Sequence, residues 1–108
     1  MGISEKLVAE IVGRILGVAK AKRIILFGSA LTGGMTKDSD IDVLIVEDDV
    51  VDQRGESTRI DVALSGMGHP FDVIVMSTGW FEASKAAVGG IAYLANKYGR
   101  VIYDAAEG

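Results

Sequence analysis

Cysteine is absent from the 108 residues. Disulfide scaffolding, thiolate zinc sites and cysteine nucleophiles are excluded together, and the redox compartment is left open. Long apolar runs are also missing. Apolar residues make up 49% of the chain, but charged ones make up 24%, and no stretch nears the roughly 18 uninterrupted apolar residues of a membrane span. A soluble protein with no membrane partner is expected, cytoplasmic by default. The start, Met1-Gly2-Ile3-Ser4-Glu5-Lys6, lacks the basic-then-apolar order of a signal peptide, and Lys6 stands where a myristoylation signal needs Ser or Thr.

Positive charge is scarce as well. Eleven basic residues against fifteen acidic ones give a formal charge of −4, which argues against a surface that grips long nucleic acid through counterion release. An anionic ligand would need metal ions, backbone N–H groups or a helix N-terminus to hold it. Neither a Walker loop nor a GxGxxG turn is present, so those two phosphate-binding loops drop out.

What is present has the size of one domain, residues 1–108, with enough apolar residues for a core that needs no staple. Ile3, Leu7, Val8, Ile11, Val12, Ile15, Leu16 and Ala19 recur at helical spacing and predict an amphipathic helix over residues 3–20. Arg23-Ile24-Ile25-Leu26-Phe27, stopped by Gly28-Ser29, reads as a buried strand feeding a tight turn. Residues 30–35 could hold a short helix. DIDVLIVE, from Asp40 to Glu47, is a second strand, and residues 71–76 a third, with Pro70 at its head.

Between the second and third strands, Arg59, Ile60, Val62, Ala63 and Leu64 could form a short helix. A closing helix capped by Ser77 or Thr78 is expected over residues 80–97, burying Phe81, Ala92, Leu94 and Ala95. Val101-Ile102-Tyr103 adds a last strand or tail contact. The order predicts an α/β (α+β) fold, a small mixed sheet flanked by helices.

The chemistry concentrates in FGSALTGGMTKDSDIDV. Alternate residues of a strand share a face, so Asp40 and Asp42 would stand on one side about 6.5 Å apart along the backbone. Two such carboxylates repel each other unless cations intervene, and hard oxygen donors suit Mg²⁺ or Mn²⁺. Asp72, near the start of the third strand, is the best third ligand. Three carboxylates could hold two ions about 3.5–4 Å apart, on the attacking and leaving oxygens of a phosphoryl displacement. Gly28-Ser29 would let backbone N–H groups and a hydroxyl approach a triphosphate.

Simpler readings compete. As a calcium loop the aspartates fail, because Val43 and Asp49 occupy the sixth and twelfth places where Gly and Glu are needed. A solvated turn suits Asp38, but not a DID motif that runs straight into Val43-Leu44-Ile45-Val46. Asp72 taken alone could be a turn acceptor, and Gly28-Ser29 alone could be no more than a turn. His69 is a loop residue on this reading, although a base near Asp72 is conceivable. Trp80, Phe81, Tyr93, Tyr98 and Tyr103 fit helix packing or a partner face, with Tyr93 and Tyr103 the conceivable nucleotide acceptors.

These residues resemble the minimal nucleotidyltransferases of the polymerase-beta superfamily, whose mark is Gly-Ser, ten residues, then Asp-x-Asp. Here Gly28 and Ser29 precede Ala30 to Ser39 and then Asp40-Ile41-Asp42. The resemblance covers residues 22–76 and extends to the ending GRVIYD. It implies that Asp40, Asp42 and Asp72 hold the metals, that Asp72 helps to activate an acceptor hydroxyl, and that Gly28 and Ser29 hold the triphosphate. The implied reaction is transfer of AMP from ATP. The implied role is an antitoxin that modifies a tyrosine on a HEPN-domain RNase.

Many small members carry an Arg soon after Gly-Ser, where this chain has Ala30-Leu31-Thr32-Gly33-Gly34, with Lys37 as the substitute. Two other functions stand beside the implied one. A module with this fold could neutralise its partner by contact alone, or the acceptor could be a small molecule such as an antibiotic, for which 108 residues leave little room.

Overall fold

Ser4 accepts a hydrogen bond from the Leu7 N–H at 3.1 Å and starts helix α1, Glu5–Leu16, in a computed structural model that describes residues 3–28 and 40–106. An N-cap oxygen meets a donor that the helix leaves without a partner. Val8, Ile11 and Ile15 form the buried stripe. The predicted helix ran to residue 20, but this one ends at Leu16: Gly17 caps it, donating to the Gly13 and Ile15 carbonyls. Ile3 and Ala19 stay buried on either side of the helix rather than within it.

The strands are β1, Arg23–Phe27; β2, Ile41–Glu47; β3, Phe71–Ser77; and β4, Arg100–Asp104. They form one mixed sheet in the order β3-β2-β1-β4. β1 runs antiparallel to both β2 and β4, while β2 and β3 are parallel. A parallel pair needs a crossover, and helix α2, Gln53–Leu64, provides it. Residues 30–35, where a short helix was expected, lie outside the described residues.

β2 is buried on both faces, which explains its unbroken apolar run. Ile41, Val43 and Ile45 point into a core shared with α1 and with Ile60 and Leu64 of α2. Leu44 and Val46 point the opposite way, into a second core with Ile25, Phe27, Met76, Phe81, Ala92 and Ala95. The parity of each residue thus decides which layer it joins.

α2 occupies the stretch that the sequence left ambiguous. It starts six residues before Arg59, because the Asp52 carboxylate accepts from the Gly55 N–H at 3.1 Å. At its other end Arg14 of α1 donates to the Ala63 and Ser65 carbonyls at 3.1 and 3.0 Å, covering acceptors that a helix C-terminus leaves open. The Gln53 side chain donates to the Val75 carbonyl on the outer side of β3, covering part of an edge strand.

The closing helix is two helices, α3, Thr78–Ser84, and α4, Ile91–Tyr98. Ser77 caps the first, accepting from the Trp80 N–H at 3.1 Å. The break falls at Gly89, whose φ of +102° no helix accommodates, and at Gly90, the extended N-cap of α4. Restarting there turns Leu94 outward: it is 42% exposed, not buried as expected, while Phe81, Ala92 and Ala95 are buried as expected. Among the described residues no helix is long and apolar enough to cross a membrane.

Candidate active site

The end of β1 and the starts of β2 and β3 lie along one edge of the sheet. Phe27 pairs with Asp42 across the antiparallel ladder, and Asp42 pairs with Asp72 across the parallel one. Neighbouring strands lie about 4.8 Å apart and registered residues share a face, so Asp42 and Asp72 stand side by side. Asp40 comes just before β2, two residues from Asp42 and exposed.

The Asp42 carboxyl senses the other two. Burial pushes the Asp42 carboxyl above its ordinary value of 3.8; the negative charges of Asp72 and then Asp40 push it further, and a hydrogen bond from protonated Asp42 to Asp72 adds to the effect. Each cause disfavours the charged form. Two carboxylates this close either share a proton or recruit a cation.

Gly28 completes the arrangement. Its φ of +79° is left-handed, and a Cβ added there would collide with the Asp42 carboxylate. Glycine is therefore required twice, for the turn and for the close approach of backbone to carboxyl. Ser29, the other residue expected to bind the triphosphate, lies outside the described residues, as does Lys37.

In donor chemistry the residues fit a hard divalent cation: oxygen ligands only, like charges in mutual contact, and a raised carboxyl that a cation would relieve. Among the described residues, however, no three acidic or histidine side chains already form a ligand shell. The raised Asp42 carboxyl means that a bound cation would favour its charged form.

His69 lies in the loop before β3, as expected. Its Nδ1 is buried without a hydrogen-bond partner among the described residues. The Tyr93 hydroxyl accepts from Lys97 Nζ at 3.1 Å, and Tyr103 packs against the core of α1 and α2.

Two residues were passed over in the sequence. Arg14, a polar residue of α1 given no role in the sequence, holds the end of α2. Glu47 read as the polar end of β2, yet it is only 5% exposed. Its parity with Val43 and Ile45 was the available signal. Burial pushes its carboxyl upward, with Arg59 pulling it partly back.

A family model described as a nucleotidyltransferase domain matches residues 5–98. Among solved structures, the chain is similar to one described as the crystal structure of a toxin-antitoxin with AMP-PNP. The TM-score is 0.61 at 18% identity, over 93% of this chain and 75% of that one. At that identity the likeness concerns the fold. No curated protein matches.

Proposed function

The chain belongs to the nucleotidyltransferase domain family, and from that membership we propose that it transfers AMP from ATP to a hydroxyl group, with Asp40, Asp42 and Asp72 as the metal-binding and catalytic carboxylates. The observation that carries this reading is the Asp42 carboxyl, which sits against the Gly28 turn and is raised by burial and by the charges of Asp72 and Asp40.

Asp40, Asp42 and Asp72 would hold Mg²⁺ or Mn²⁺, which would supply positive charge for an in-line displacement. Asp42, shared between its two neighbours, fixes the position of that charge. Gly28, with Ser29 after it, brings the backbone close enough to hold the triphosphate. Asp72 orients the acceptor hydroxyl and takes up its proton as the oxygen attacks the α-phosphorus and pyrophosphate leaves.

The acceptor fits a protein hydroxyl, a tyrosine on a HEPN-type toxin RNase, with this chain as the antitoxin. The family resemblance of Gly28-Ser29 and Asp40-Ile41-Asp42 supports this, as does the likeness to a toxin-antitoxin complex with AMP-PNP. A second reading has its own observation: Ile91, Leu94 and Tyr98 make an exposed apolar stripe at helical spacing on α4, suited to neutralising a partner by contact.

Incubation with α-labelled ATP, Mg²⁺ and the protein encoded beside this one tests both. Label on the partner, lost in the Asp40→Asn/Asp42→Asn double variant together with neutralisation, supports transfer. Neutralisation by the double variant at the parent's level, with no label in either case, would leave contact alone.

A further inference from the structure

Glu47 ends β2 at the opposite end of the strand from Asp42, about 16 Å away, and on the opposite face. It lines a cavity of about 380 Å³ beside the start of α2. The residue is 5% exposed, and its Oε2 has no hydrogen-bond partner among the described residues. A carboxyl oxygen buried without a partner is costly, and natural proteins keep such groups where something else completes them.

The charges around the cavity indicate what that is. Asp49, Asp52, Glu56, Lys20 and Arg59 line it with Glu47. Arg59 forms an ion pair with Glu56 and offsets Glu47 only in part. Asp52 is taken by the Gly55 N–H, which also neutralises the helix N-terminus that would otherwise favour an anion. With Glu56 offset by Arg59, what remains is Glu47, Asp49 and Asp52 against Lys20, an excess of two negative charges. Val18, Val50 and Val51 supply an apolar wall, and Val51 is 98% exposed at the mouth.

We infer that this cavity is a binding site for an organic cation, a guanidinium or primary ammonium on a short alkyl stem, with the charged head on Glu47 and Asp49 and the stem along the valines. A planar guanidinium can satisfy two carboxylate oxygens at once. A bare metal ion would leave the apolar wall unused, and an anion would face the surplus negative charge. The same head group occurs on free small amines and on arginine or lysine side chains of proteins. The site lies outside the aspartate cluster, and its occupancy does not depend on transfer.

Titration of the ¹⁵N-labelled protein with n-butylguanidinium, n-butylammonium and neutral n-butylurea, followed by amide shifts at pH 7.5 and low salt, tests the assignment. Expected are saturable shifts at Glu47, Asp49 and Val51 with the two cations but not with the urea, while Asp40, Asp42 and Asp72 stay in place. Glu47→Gln should weaken binding roughly tenfold and Asp49→Asn several-fold. An N-acetyl-arginine N-methylamide arm separates the sources: binding at least as tight as butylguanidinium points to a protein side chain, and markedly weaker binding to a free amine. Absence of saturable shifts, equal shifts with the urea, or unchanged affinity in Glu47→Gln would overturn the site. If that variant does not fold, unchanged affinity in Asp49→Asn does so instead.

Discussion

The two ends of β2 each carry an acidic residue whose carboxyl is raised by burial, and their surroundings differ in kind. Around Asp42 the neighbours are other carboxylates, Asp72 and Asp40. Around Glu47 the chain supplies cations of its own, Arg59 in charge contact and Lys20 on the cavity wall. The first end gathers like charges around Asp42, so a bound cation there would change a great deal. The second is partly offset from within by Arg59 and Lys20, and changes there should be gentler.

The sharpest way to break this comparison is Asp42→Asn. On the proposed chemistry, transfer should fall by a factor on the order of 10³ or more, since the residue shared by the whole cluster is lost. The same substitution should abolish the rise in Tm that Mg²⁺ with a non-hydrolysable ATP analogue gives the parent, whereas Glu47→Gln should retain it. Equal Mg²⁺-dependent shifts in Asp42→Asn and the parent, read by thermal denaturation, would remove Asp42 from the metal site.

Gly28→Ala comes next. The left-handed φ alone costs an alanine about 1–2 kcal/mol, and its Cβ drives the Asp42 carboxylate aside. Activity should fall about 100-fold through that displacement, with a loss of stability that denaturant unfolding would detect. Alanine tolerated in both respects would show that the turn does not press on Asp42.

How far the sequence led follows the same division. Strands were legible because β1, β2 and β3 are rich in apolar residues, and Asp72 could be named as the third carboxylate, but the parallel register that sets it beside Asp42 was not read from the sequence. Sequence distance hides what lies across a crossover. α2 was blurred because Gly55 and the polar residues around it dilute its pattern, and it is held from outside by Arg14, 49 residues from Ala63. The closing helix was misread because only backbone geometry reveals that Gly89 takes a positive φ. Glu47 was overlooked because a charge at a strand end usually faces water, and only α2 folding back over that face buries it.

Arg14→Met probes how α2 joins the two ends. α2 starts beside Glu47 and returns to the aspartate edge, where Arg14 donates two hydrogen bonds to its last carbonyls. Methionine keeps the stem but removes the donors, at a cost of about 1–3 kcal/mol. Amide exchange should quicken over residues 60–66, ahead of Asp72, and stay slow over residues 53–57, which Asp52 caps. Uniform quickening would mean that α2 opens as a unit and that the two ends are not independent.

The smallest effect belongs to Glu47 itself, and its sign is what matters. In the unfolded chain this carboxyl ionises near 4.5, whereas burial in the folded protein holds the proton to higher pH against the partial pull of Arg59. The folded state therefore binds more protons above pH 4.5, so the contribution of Glu47 to stability is fully present below that value and is lost as pH rises through the folded one. Glutamine has no such dependence. Without ligand, Glu47→Gln should match the parent near pH 4 and become the more stable of the two toward neutrality, by on the order of 1 kcal/mol or less. Denaturant midpoints at pH 4, 5.5 and 7 measure it. A difference that stays flat, or that favours the parent at neutral pH, would mean that Arg59 and Lys20 balance Glu47 completely and that its cavity has no charge left to offer a ligand.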